Sequence, residues 1–100
     1  MEKWQEQILA VMNHRQRQIL VHSIIYYKYN ANVVSDYKWS QWAKELYDLM
    51  NANQEIAKQS CMYDMFKDFD YSTGADLPLD DEWGNRAAIR LMDSHKLQCL

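Results

Sequence analysis

A chain of 100 residues has room for one hydrophobic core and one domain, which excludes a large multidomain enzyme. Its makeup, 48% hydrophobic and 25% charged with only two glycines and one proline, is that of a compact helical domain, not of a disordered chain or a β-sandwich. The net charge of −3 denies it the surplus of basic side chains from which nucleic-acid binding draws most of its affinity, so nucleic acid is not an expected partner.

From Glu2 to about Tyr29, the residues Ile8, Leu9, Met12, Ile19, Leu20, Ile24 and Tyr27 recur at the three-, four- and seven-residue steps that line one face of a helix. Gln5, Glu6, Asn13, Gln16 and Gln18 are expected on the wet side, with His14, Arg15 and Arg17 as a basic cluster on the same surface. Asn30, Ala31 and Asn32 end this helix, since asparagine tolerates the left-handed conformation that closes a helical C-terminus. Ser35 is an N-cap for the next helix and Asp36 suits its positive end. Trp39, Trp42, Ala43, Leu46, Leu49 and Met50 then form the cleanest apolar stripe in the chain, with Trp42, Leu46 and Leu49 expected in the core.

Two long helices joined so briefly must pack as an antiparallel hairpin, at about residues 2–53. Beyond it, a short helix is expected through Ile56, Met62 and Phe66 with a break near Ser60. Phe69 to Asp81, with Gly74, Pro78 and several aspartates, is expected to be an irregular surface loop. A last helix begins near Asp80, Asp81 and Glu82 and carries Trp83, Ala87, Ala88, Leu91, Met92 and His95 on one side. The expectation is one all-α domain over residues 1–100: about four helices built on the hairpin, with short helices and an acidic loop over about 54–100. No run of about 18 apolar residues and no hydrophobic leader core occurs, so neither a membrane span nor export is expected, and the expected address is cytoplasmic.

Asp68, Asp70 and Ser72 occupy the first, third and fifth places of a calcium-loop pattern, but Thr73 stands where the turn needs glycine and Leu79 where a bidentate glutamate belongs. No metal ion is expected. Cys61 and Cys99 lack metal-ligand spacing and read as reduced thiols. His22 has no nucleophile beside it in any helical register, so it reads as a hydrogen-bonded structural histidine. The carboxylates Asp68, Asp70, Asp76, Asp80, Asp81 and Glu82, with only Lys67 near them as counter-charge, are either a solvated loop or a docking surface for a protein partner with a basic surface. Tyr26 and Tyr27 close the first helix while Asp36 and Trp39 open the second, so the hairpin brings all four to one end. There they form an aromatic plug over the core, or a cleft in which rings stack on a flat ligand and a carboxylate fixes its polar groups.

The run Ile19-Leu20-x-His22-x-x-x-Tyr26-Tyr27, with eight residues from Tyr27 to Asp36, then Ser35-Asp36-x-x-Trp39 and Lys44-Glu45-Leu46, resembles the small N-terminal helical domain of NAD-dependent DNA ligases over about residues 18–53. That resemblance implies a helical domain reading NAD through its nicotinamide mononucleotide half. The family's contact pattern is Tyr-His, eight residues, Asp, two residues, Tyr-Asp. Here Tyr26 matches its tyrosine and Asp36 its first aspartate, while Tyr27 stands for the histidine, Trp39 for the second tyrosine and Ser40 for the second aspartate. Tyr26, Tyr27, Asp36 and Trp39 are thus the expected nucleotide-binding residues, for weakly held or lost NMN or NAD. The ligases' catalytic Lys-x-Asp-Gly has only Lys67-Asp68-Phe69-Asp70 as a counterpart, without the glycine, so no enzyme activity is expected. Small free-standing relatives of this domain are carried by bacteriophages. The expected function is a non-catalytic binding module with a degenerate nucleotide site. The alternative is a phage-encoded interaction factor that inhibits a host defence nuclease through its acidic surface.

Overall fold

The computed structural model describes residues 1–99, with side chains through His95. Among the described residues there are five helices and no strand: α1 Lys3–Tyr29, α2 Asp36–Ala52, α3 Gln54–Ala57, α4 Tyr63–Phe66 and α5 Glu82–Cys99. The all-α class holds, and the single short helix expected after the hairpin is two one-turn helices interrupted around Ser60. The ends follow from local chemistry. Asn30 closes α1 in the left-handed conformation, at φ 52°. The Ser35 hydroxyl accepts the Lys38 N–H at 3.1 Å to start α2. The Asp81 carboxylate accepts the Gly84 N–H at 2.8 Å to start α5.

α1 is the spine of the molecule. Its 27 residues span roughly 40 Å at 1.5 Å per residue, close to the 44 Å long axis of the whole chain. α2 runs back along it, as contacts from His22 to Trp42 and from Gln16 to Met50 show. α5 packs on another side of α1, where Gly84 makes the approach possible: a Cβ there would lie 2.6 Å from Ile24 Cδ1. The main core joins Ile19, Leu20, Ile24 and Ile25 of α1 to Ala43 and Leu46 of α2, Phe66 of α4 and Ala88 of α5. A smaller cluster of Met12, Ile56 and Ala57 anchors α3 toward the start of α1.

Being enclosed by several neighbours changes what α1 buries. Gln16, expected on the wet side, is fully buried, as is Ser23. Tyr27, expected on the apolar face, is exposed. Leu46 is core as expected, whereas Trp42 and Leu49 are half-buried. Trp83 at the start of α5 is largely exposed. The segment expected as a surface loop dips into the molecule, with Gly74 and Leu77 buried and Phe69 stacked edge-on against Phe66 at 5.2 Å. No described helix is long and apolar enough to cross a membrane.

Candidate functional site

At the end of the hairpin where α1 stops and α2 begins lies a hollow of about 220 Å³. Tyr26, Tyr27, Asp36 and Trp39 all line it. Tyr26 and Tyr27 meet edge to face at 4.8 Å, and Trp39 stands edge-on to Phe69 at 6.4 Å. The rings thus line the hollow while packing on one another or on Phe69. His22, Ser23 and Ser40 complete the helical walls. Burial lowers the His22 pKa, so its imidazole is neutral near pH 7. Among the described residues neither lysine nor arginine lines the hollow, and Asp36 is the one carboxylate there.

The remaining wall is the loop, which sequence periodicity did not connect to this end. Ser72 and Thr73 line the hollow, and Thr73 Oγ1 is hydrogen-bonded to the Tyr27 hydroxyl at 2.7 Å. The loop is braced from behind. The Asp70 carboxylate accepts the Ser72 N–H at 3.0 Å and the Ser72 hydroxyl at 2.6 Å, which holds its pKa below the usual carboxylate value. Tyr71 adopts φ 60°, a left-handed conformation that costs a non-glycine residue roughly 1 to 2 kcal/mol. Its ring offsets that cost by packing on Tyr47 at 4.7 Å, with Lys44 Nζ 5.3 Å above it. Next in the chain, Gly74 crosses Ser23 so closely that a Cβ would fall 2.1 Å from Ser23 Oγ and 3.2 Å from Trp39 Cζ2.

His22, expected to be a hydrogen-bonded structural histidine, has its Nδ1 buried without a hydrogen-bond partner. The neighbouring Ser23 Oγ is buried and unpaired as well. The other histidine contact is a tilted packing on Trp42 at 5.3 Å, and Arg15 covers the same indole at 5.6 Å while pairing with Glu45 at 3.2 Å. Arg15 of the basic cluster is thus engaged within the hairpin.

The six carboxylates divide between two places. Asp80 reaches Lys28 at 3.9 Å and Glu82 pairs with Arg86 at 3.2 Å, while Asp81 caps α5, the helix start expected near these acids. Asp68, Asp70 and Asp76 instead line a separate groove of about 580 Å³ together with Asp64. Asp64 was missed, although it lies one helical turn before Asp68. Met65, Phe69, Leu77 and Pro78 supply the groove's apolar surface. The calcium-loop pattern gathers no metal-ligating cluster among the described residues, and Asp70 is turned toward Ser72. Cys61 is an exposed free thiol. The Cys99 side chain lies outside the described residues.

Compared with known proteins, the chain matches no family model, no curated protein and no solved structure.

Proposed function

We propose that this chain is a non-catalytic binding module whose aromatic end takes a nicotinamide-type ring, a reduced version of the nucleotide site in NAD-dependent DNA ligases. The observation supporting this reading is that Tyr26, Tyr27, Asp36 and Trp39, drawn from two helices, line a single hollow. At about 220 Å³ it is smaller than the roughly 300 to 1,000 Å³ typical of drug-sized ligands, which suits one flat ring and not a dinucleotide. The ring stacks on aromatic faces. Asp36 lies where it accepts from a ribose hydroxyl or sits beside a pyridinium charge. With neither lysine nor arginine among the described lining residues, a phosphate gains no charge-assisted hydrogen bond from them, each such bond being worth about 1.5 to 3 kcal/mol. Nicotinamide mononucleotide therefore binds weakly, with its phosphate in water. Calorimetry at millimolar NMN tests the reading: a weak isotherm abolished by Asp36→Ala supports it, and binding indifferent to that substitution overturns the site. Intact mass after incubation with NAD should stay unchanged, since Lys67 is exposed and its Lys-x-Asp-Gly counterpart lacks the glycine.

The acidic groove favours a second reading, an inhibitor or interaction factor that docks on a basic protein surface. Four aspartates interleaved with Met65, Phe69, Leu77 and Pro78 combine electrostatic steering with apolar anchoring. Neutralising Asp64, Asp68 and Asp76 together should then slow association with that partner and flatten its salt dependence, screening being strong beyond about 10 Å at 0.1 M.

A further inference from the structure

A second concavity, of about 260 Å³, lies between the end of α2, α3 and α4 and shares no residue with the hollow. Tyr47, Met50 and Asn51 reach it from the last turns of α2, and Tyr63, Phe66 and Lys67 from α4 and its C-cap. Each set keeps the three- and four-residue steps that share one helix face. Ala57 and Phe66, each 2% exposed, form its base, while Lys67 and Lys58, the C-cap of α3, are exposed at its rim. Charge sets this cleft apart. In a chain of net charge −3, two lysines and, among the described residues, no carboxylate line it. The α4 turn sorts the signs: Asp64 and Asp68 line the acidic groove, whereas Lys67, between them in sequence, lines the cleft. Lys67, the one counter-charge expected for the acidic run, forms no ion pair among the described residues. Lys58 is held by Glu55 at 3.1 Å.

We propose that this cleft binds a small aromatic anion, a single ring carrying a carboxylate or a phosphate, with the ring on the Phe66 and Phe69 side and the charge between Lys67 and Lys58. The site is separate from the hollow, so it stands or falls independently of the nicotinamide reading. Its chemistry follows from the lining. Met50, Ala57, Phe66 and Phe69 offer a ring apolar and edge-to-face contact. A neutral ring would leave both ammonium groups unused, and a cation would meet them with like charge. An inorganic anion would find the lysines but gain nothing from the apolar base. At about 260 Å³ the cleft is below the roughly 300 to 1,000 Å³ of drug-sized sites, which suits one ring and its acidic group. Lysine is a compact point charge that accepts carboxylate and phosphate alike. Of the two, Lys67 contributes more, because Lys58 is already shared with Glu55.

Protein-observed NMR titrations of the whole chain at low ionic strength, with benzoate, phenyl phosphate and benzyl alcohol, test the proposal. At least one anion should bind about fivefold tighter than the neutral alcohol, the size of an exposed ion pair, with shifts centred on Gln54, Tyr63 and Phe66. A tighter phenyl phosphate assigns the cleft to phosphate esters, and an equal or tighter benzoate assigns it to carboxylates; both orders support the proposal. Lys67→Gln should weaken the anions about fivefold and leave benzyl alcohol unchanged, with no change in Tm because the side chain is exposed. Glu55→Gln, which frees Lys58, should tighten the anions about twofold. Lys38→Gln removes the same charge at an exposed position outside the cleft and should alter none of the three. Equal binding of the three compounds overturns the proposal, as does an absence of anion binding at millimolar concentration. An equal loss in Lys38→Gln and Lys67→Gln would reduce the effect to bulk charge, and shifts confined to the hollow would place the ring there; each of these also overturns it.

Discussion

Gln16 and Ser23 lie two turns apart on the same helix and both are fully buried, yet their surroundings are opposite. Gln16 is saturated. Its amide donates to Ser60 Oγ at 2.9 Å, and its carbonyl accepts the Met62 N–H at 3.1 Å and, more loosely, the Cys61 thiol at 3.8 Å. Ser60 in turn donates to the Ala57 carbonyl at 2.6 Å, and Asn13 accepts the Cys61 N–H at 2.8 Å. One side chain thus ties α1 to the turn between α3 and α4, a stretch whose own one-turn helices could not hold it in place. Ser23 has none of this. A buried polar group that is satisfied specifies a fold, whereas Ser23 is small enough to let Gly74 cross α1 closely, a Cβ there falling 2.1 Å from its Oγ.

The strongest way to break the comparison is to remove the saturated member. Gln16→Ala deletes a buried side chain, leaves the Met62 N–H without its acceptor and takes a partner from Ser60, so it should cost roughly 2 to 5 kcal/mol in urea unfolding. A loss below about 0.5 kcal/mol would mean that the turn is held otherwise, since surface changes alone give that much. Ser23→Ala carries the opposite expected sign, so the two alanine variants should move Tm in different directions although they shorten the same helix surface.

A smaller effect tests how closely the loop sits on α1. Gly74→Ala places a methyl group 2.1 Å from Ser23 Oγ, 2.8 Å from its Cβ and 3.2 Å from the Trp39 ring. The hydroxyl can rotate away, but Ser23 Cβ is fixed on a packed helix, so overpacking should cost about 1 to 3 kcal/mol. The same substitution should weaken binding of any ring in the hollow, because it pushes away the loop whose Ser72 and Thr73 form one wall. Gly84→Ala is the control: there the nearest atom is the far end of Ile24, and none of Ile24, Asp81 and Leu20 around it lines the hollow, so ring binding should be unaffected.

The fold was legible where a single periodicity governed it. α2 has one buried face, so its stripe, its Ser35 cap and the buried Leu46 could be read directly from residue spacing. α1 is flanked by α2, α3 and α5. A helix buried on several sides carries no clean stripe, which is why Gln16 passed for a wet residue and Tyr27 for a core one. At the hollow, the helical members Tyr26, Tyr27, Asp36 and Trp39 were accessible because hairpin geometry follows from loop length. Ser72, Thr73 and Gly74 were not. Their approach depends on a left-handed Tyr71 and on Asp70 turning back to Ser72, which no local pattern announces. The division of the six-carboxylate run was hidden for a similar reason: proximity in sequence does not say which aspartate caps a helix and which faces a groove.

The smallest expected effect concerns His22. It is half-buried, packed on Trp42 with Arg15 on that indole, and burial lowers its pKa. Asp36 lines the same hollow. In the unfolded chain the imidazole titrates near its ordinary value of about 6.5. As pH falls through that value, the unfolded state takes up a proton that the folded state still refuses, so the unfolded state gains and stability declines with falling pH. The decline begins near pH 6.5 and ends only once the lowered folded-state pKa is passed. Asp70 contributes in a separate window, since a depressed carboxylate adds stability that is lost only as pH falls below its ordinary range near 4. Urea unfolding between pH 5 and 7, well above that acid window, should therefore show a stability slope that His22→Gln reduces. Glutamine keeps a polar side chain of similar reach but has no titrating group, so an unchanged slope would leave His22 without the desolvated environment that its burial gives it.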